Sequence, residues 1–362
     1  MTVSRPDRAA LGRVLSRLVP GARVVRCEPL DGVGASGVAH KAGGYARAWR
    51  VAAADDAGQL HEFVFRTSAS DEFGHDRRAD RAANLILAFD TFGTIPDHVR
   101  ALDVGFEAPG GLRSLRDCEE PYLLTTWAEG TLYAEDLRRV AADGSASAGD
   151  LERCNALVRW LAGVHAQRVV DAAAWRRAVR DLLGHGEGIF GIVDAYRADV
   201  PAASPARLAE IERRCLEWRW RLRGQPERLR RTHGDFHPFN IVFSRGAAFT
   251  LLDASRGCQG DPADDVTALS VNYVFFALQA PAAWRRGFAP LWRRFWRGYL
   301  DARGESVLES AAPFLAWRAL VLGCPRFYPD LAPAAREALL SFAERALAAV
   351  RFDPDSAQDL FP

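Results

Sequence analysis

Lysine is nearly absent from this chain: of its 47 basic residues only Lys41 is a lysine, and every other one is arginine. Cationic work anywhere except position 41 therefore falls to guanidinium groups, which are always charged and bind in a planar fork. Excess charge is missing as well. A formal net charge of +1 excludes binding to polyanions driven by overall charge. The six cysteines, at 27, 118, 154, 215, 258 and 324, include no CxxC pair and no Cys/His metal spacing, so they read as scattered thiols of a reducing compartment. No apolar run approaches the length of a membrane span, and no signal peptide precedes the first polar residues. The expectation is a cytoplasmic protein with no membrane partner. With 49% apolar and 26% charged residues, the 362-residue chain has enough apolar material for one large or two modest globular domains.

The chemistry is concentrated in one stretch, His233-Gly234-Asp235-Phe236-His237-Pro238-Phe239-Asn240, followed by Leu251-Leu252-Asp253. An apolar run, Ile241-Val242-Phe243, leaves the first cluster, and a second run over 249–252 enters the later Asp, with Gly246 between them. Two short strands of a hairpin fit this pattern. Such a hairpin gathers Asp235, Asn240 and Asp253 around one point. An amide oxygen and a carboxylate are hard donors suited to Mg²⁺, which keeps several waters and completes its shell with substrate phosphates. A free carboxylate beside such a metal can accept the proton of an attacking hydroxyl. Further on, Gly260-Asp261-Pro262-Ala263-Asp264-Asp265-Val266 reads as a turn opening a helix, where the acidic groups alternatively serve only as helix-start charge.

The set HGDxxxxN, the later strand-borne Asp and the Gly-Asp-Pro-x-x-Asp segment resembles the aminoglycoside phosphotransferase and choline kinase group of small-molecule kinases. The resemblance runs from about Val24 to the helices beyond Phe314. It implies an α+β, bilobal, protein-kinase-like fold: a five-stranded antiparallel small lobe with one helix over residues 1–125, then a mainly helical lobe over 126–362. It also implies ATP or GTP and Mg²⁺ as cofactors. By the same resemblance Asp235 orients or deprotonates the acceptor hydroxyl, Asn240 and Asp253 hold metal, and Asp265 ties back to the loop. His233 braces that loop, while His165 has a packing role. The third strand, His61-Glu62-Phe63-Val64-Phe65-Arg66, offers Arg66 for the nucleotide phosphates, where a strand-end arginine in solvent is the alternative. A helix over 76–90, with Ala79, Ala82, Ala83, Leu85, Ile86 and Phe89 as its buried side, lacks the Glu that usually pairs with that cation. Asp80 is the only substitute offered, so the partner of Arg66 stays open.

Two glycine-rich stretches compete to cover the phosphates: Gly43-Gly44 within Lys41-Ala42-Gly43-Gly44-Tyr45-Ala46, and residues 32–37. Pro121-Tyr122-Leu123-Leu124-Thr125-Thr126-Trp127 reads as the strand leading out of the small lobe. The resemblance makes backbone groups near Thr126 and Trp127 the nucleobase contacts. The Trp/Arg-rich stretches at 218–223 and 284–299 combine stacking rings with cations, as single-strand binders do. At helical spacing, though, Trp284, Phe288, Leu291, Phe295 and Tyr299 form a core face with arginines outward, so no nucleic-acid partner is expected. The resulting reading is a Mg²⁺-dependent O-phosphotransferase acting on a small hydroxylated molecule, a metabolite rather than a polycationic antibiotic. The rival is a catalytically silent nucleotide-binding protein that acts as a scaffold.

Overall fold

The computed structural model describes residues 6–30, 46–254 and 257–361. The chain divides into two compact units, Met1–Thr125 and Thr126–Pro362. The class is α+β: small antiparallel sheets in both units, and a second unit built mainly of helices.

The first unit runs α1 (Arg8–Leu15), β1 (Arg23–Pro29), β2 (Ala46–Ala54), β3 (Leu60–Ser68), α2 (Arg78–Thr91), β4 (Gly105–Ala108) and β5 (Gly111–Ser114). Strands β1, β2 and β3 form a three-stranded antiparallel sheet in sequence order. Along β2 the side chains of Trp49, Val51 and Ala53 reach one cluster, which Leu11 and Leu15 of α1 and Cys27 of β1 complete. This is the period-two burial expected of a sheet with one covered face.

Three expectations for this unit need correction. The five described strands do not form one sheet, because β4 and β5 pair only with each other. A hairpin with glycines at φ +85° and +131° (Gly110, Gly111) satisfies its own ladder, and it packs on α1, where Arg13 donates to the Gly110 carbonyl and Leu112 meets the apolar cluster. Helix α2 forms where the periodicity put it, but none of its residues is buried. Its apolar stripe is too rich in alanine to bury much area. Residues 121–127 are not a strand: the segment is exposed coil, with Tyr122, Leu123 and Leu124 each at least 88% accessible. Their apolar side chains suit a strand, yet no neighbouring strand pairs with them among the described residues.

The second unit continues with β6 (Thr131–Leu132), α3 (Tyr133–Asp143), α4 (Ala148–His165), α5 (Ala172–Gly184), α6 (Ile189–Asp194), α7 (Pro205–Arg223) and β7 (Arg230–Arg231). Then come β8 (Ile241–Phe243), β9 (Phe249–Leu251), β10 (Gln259–Gly260), α8 (Pro262–Gln279), α9 (Ala289–Arg303), α10 (Ala311–Gly323) and α11 (Pro333–Ala348). Helices α8 and α10 are apolar nearly all round and almost wholly buried, as central helices must be. The amphipathic helices surround them. On the segment from 284 to 299 the ring stripe is buried and Arg285, Arg286, Arg293, Arg294 and Arg297 are exposed, the arrangement the spacing predicted. Helix α4 opens with a capping box between Ser147 and Asp150.

The hairpin that carries the candidate site is present. Strand β8 pairs with β9 in the register Ile241↔Leu251 to Phe243↔Phe249, and β6 pairs with the other edge of β8. Gly130, at φ +142°, lets β6 close on β8, since a Cβ there would lie 2.2 Å from the Phe243 carbonyl oxygen. Gly130→Ala is therefore expected to cost more than about 1 kcal/mol, combining strain at positive φ with a backbone clash. A lowered urea midpoint would register it, and an unchanged midpoint would contradict the clash.

Candidate active site

The loop between β7 and β8 is fastened from beneath by a single carboxylate. Asp265 lies in the first turn of α8, which Asp261 caps and Pro262 begins. Its Oδ2 accepts the amide of His233 and its Oδ1 that of Gly234, both at 2.8 Å. Gly234 adopts φ +88°, which a residue with a side chain resists. Burial by itself would raise the Asp265 carboxyl, but the His165 hydrogen bond and charge and the two amides outweigh it and hold the group below its ordinary value. His165 of α4 lies 3.1 Å from Asp265 through Nε2 and 2.7 Å from the Tyr299 hydroxyl through Nδ1. A packing role for His165 is thus an incomplete description, for it is fully buried and ties α4 to the loop's anchor and to α9.

Within the loop the side chains organise one another. His233 accepts the Asp235 amide on Nδ1 at 3.2 Å, with its ring edge-on to Trp160 and Phe236. His237 accepts the Phe239 amide on Nδ1, which leaves its Nε2–H to face Asp235 Oδ2 at 3.3 Å. Asn240 donates Nδ2 to the Asp235 carbonyl at 3.0 Å and to Asp235 Oδ2 at 3.1 Å. That orientation turns the amide oxygen of Asn240 away from Asp235. The Asn240 carbonyl accepts the Leu252 amide at 2.9 Å, so the hairpin brings Asp253 beside it. Asp253 is exposed and stands at φ +37°, a backbone state uncommon for a residue with a side chain.

Asp235 is mostly buried and lies at the centre. Its Oδ1 accepts Nη1 of Arg318 at 2.6 Å, and Nη2 of the same arginine reaches Asp264 at 2.9 Å. Burial alone would raise the Asp235 carboxyl, yet the His237 hydrogen bond and the Arg318 charge prevail and keep it far below the usual carboxylate range. The group is ionised at any physiological pH. Arg318 was not singled out from the sequence, although a signal existed: it is the one charged residue in the apolar segment AAPFLAWRALVLG. A cation inside a buried helix requires carboxylate partners.

The remaining sequence candidates precede this loop and hairpin in the chain. Gly43, Gly44, Lys41 and residues 32–37 lie outside the described residues. Arg66 is exposed on β3, opposite Ala48, and has no acidic partner among the described residues. Asp80 receives the Arg77 amide at 2.9 Å and so caps α2. Thr126 and Trp127 are exposed at the start of the second unit, Trp127 at 83%.

The amino-acid pattern over residues 38–314 matches the family model described as "Phosphotransferase enzyme family". The chain belongs to the phosphotransferase enzyme family. None of the curated proteins matches it significantly. Among solved structures, a choline kinase from Streptococcus pneumoniae aligns at 13% identity and TM-score 0.35, covering 93% of this chain and 97% of that one. An aminoglycoside phosphotransferase crystallised with ADP and hygromycin B aligns at 14% identity and TM-score 0.36, covering 94% and 99%. A glucosamine kinase bound to glucosamine, ADP and phosphate aligns at 20% identity and TM-score 0.35, covering 63% of this chain and only 57% of its own length. Asp235, Asn240, Asp253 and Asp265 all lie inside the matched span, and Arg318 lies beyond it.

Proposed function

We propose that this phosphotransferase-family protein moves the γ-phosphoryl group of ATP or GTP to a hydroxyl of a small molecule, with Mg²⁺ as cofactor, in the cytoplasm. The observation that carries the reading is the Asp235 carboxylate bonded to Asn240 at the head of the β8–β9 hairpin, whose second strand leads to Asp253. Asp235 accepts a hydrogen bond from the acceptor hydroxyl and orients it, taking the proton as the new bond forms. His237 and Asn240 fix the carboxylate from one side, while His233 and Asp265 hold the backbone beneath it. Arg66 contacts the nucleotide phosphates, the Gly43-Gly44 segment covers them, and backbone groups at Thr126 and Trp127 meet the base.

The amide oxygen of Asn240, turned from Asp235, and the exposed Asp253 carboxylate fit Mg²⁺. They are two hard oxygen donors, and among the described residues no larger acidic or His/Cys cluster forms a dedicated metal cage. Bound there, the ion would neutralise charge on the phosphate oxygens. Asp253→Ala is expected to raise the Mg²⁺ concentration for half-maximal activity by at least ~10-fold. A magnesium titration at saturating nucleotide measures this, and an unshifted curve would remove Asp253 from the ligand set.

The acceptor is a metabolite rather than an aminoglycoside. Arg318 offsets one of the two carboxylate charges of Asp235 and Asp264, so the surroundings of the base are less acidic than the wall that a polycation needs. Incubating the protein with Mg²⁺, ATP or GTP and a pooled metabolite and aminoglycoside library, with Asp235→Asn in parallel, tests the reading by mass spectrometry. A product heavier than its acceptor by one HPO₃, and missing with the variant, establishes the reaction and names the substrate. Arg66, without an acidic partner among the described residues, favours a second reading, a silent nucleotide-binding scaffold. Nucleotide binding without any product across the library would select it.

A further inference from the structure

Arg318 is costly where it stands. It is 7% exposed on α10, its neighbours along the helix are apolar, and its guanidinium carbon lies 3.9 Å from the centre of the Trp317 ring. Nη1 is committed to Asp235 Oδ1 at 2.6 Å and Nη2 to Asp264 Oδ1 at 2.9 Å, with the Gly234 carbonyl at 3.5 Å. A buried ion pair is poor evidence of stabilisation, because well-packed apolar residues of similar volume commonly hold a core as well or better. What such residues lack is direction. The Asp235 carboxylate is held on Oδ2 by Asn240 and His237, both from its own loop. Arg318 grips Oδ1 from a helix 83 residues further along the chain. Contacts on both oxygens fix the plane of the carboxylate, which contacts on one oxygen cannot do.

We propose that Arg318 is a positioning residue for phosphoryl transfer: with Asp264 as its anchor and Trp317 beneath it, it sets the plane of the Asp235 carboxylate against the acceptor hydroxyl. The proposal rests on the phosphotransferase reading for its catalytic part. The role suits arginine and not lysine, since the planar fork spans two carboxylates and stacks on an indole, whereas an ammonium is a single point donor.

The test compares Arg318→Lys, Asp264→Asn and Arg207→Lys, using the acceptor found in the product screen. Arg207 is a comparable ion-pair hub, joining α7 to Glu337 and Glu344 of α11, away from the loop. Arg318→Lys is expected to lower kcat by ~10- to 100-fold, the scale of a misaligned catalytic group, with the KM for nucleotide held within about twofold. Asp264→Asn, which keeps the bond to Asp235 but takes the charge from the anchor, should fall between that variant and the unaltered protein. Arg207→Lys should lower the melting temperature and spare kcat. Wild-type kcat in a folded Arg318→Lys protein, or an equal loss in Arg207→Lys, would overturn the proposal.

A readout without turnover separates this proposal from the reaction itself. Nitrogen-15 NMR of arginine side chains should show slowed rotation of the Arg318 guanidinium, with distinct Nη signals that merge in Asp235→Asn and in Asp264→Asn. Signals unchanged in both variants would show that Arg318 does not hold Asp235. If the unaltered protein forms no product, the phosphotransferase reading fails, and the spectra still decide whether the clamp exists.

Discussion

Asp235→Asn is expected to reduce phosphoryl transfer by roughly 10²–10⁴-fold, the range associated with removal of a positioned general base. The substitution keeps the shape of the side chain and leaves Arg318 paired with Asp264, so the buried guanidinium retains a carboxylate. The loss is therefore chemical: a neutral amide accepts the hydroxyl proton far less readily than a carboxylate held ionised. Nucleotide affinity should change little, because the acceptor side of the reaction is what the substitution alters. Steady-state rates at saturating nucleotide, with affinity measured separately by calorimetry, separate the two. A variant that transfers phosphate at the unaltered rate would refute the assignment of Asp235.

Asp265→Ala should be the most damaging single change to the loop, at ~3–5 kcal/mol of stability, the range for breaking a buried charged pair. Two backbone amides and the His165 ring lose their acceptor at once. Each stranded buried donor carries its own desolvation penalty. The sign of the pH dependence follows from the lowered folded value of this carboxyl. Its contribution is fully present above the usual aspartate value of about 3.9 and is lost as pH falls through the lowered folded value. The alanine variant should therefore show a shallower loss of stability toward acid than the unaltered protein. Urea titrations at neutral and acidic pH test both parts. A stability change under about 1 kcal/mol would mean that the loop finds other acceptors.

The site was legible in the sequence where its parts are close in the chain. The spacing from Asp235 to Asn240 and Asp253 is read directly as loop and hairpin, and Asp265 follows on the next helix. Short loops and paired strands leave little freedom for such residues to separate. Arg318 was missed because its partner is chosen by the packing of α10 on α8, which no local pattern encodes. The ties of His165 to Asp265 and Tyr299 were missed for the same reason: an apolar stripe ending in His looks like packing until the buried carboxylate beneath it is known. In the first unit the failures run the other way. Residues 121–127 have the side chains of a strand, and α2 has the period of a buried helix, but a strand needs an edge to join and a stripe needs enough apolar area. Period alone supplies neither.

The amides of His233 and Gly234 end on a carboxylate that water does not reach. The loop that presents Asp235 is thereby fused to the interior rather than laid over it. Its opening cannot be a local event, since releasing either amide means hydrating a buried aspartate and the histidine behind it. These two amides should exchange with solvent only when the second unit as a whole comes apart. On the proposed reading, a base mounted in this way does not adapt to its partner, so discrimination among acceptors falls to the residues around it.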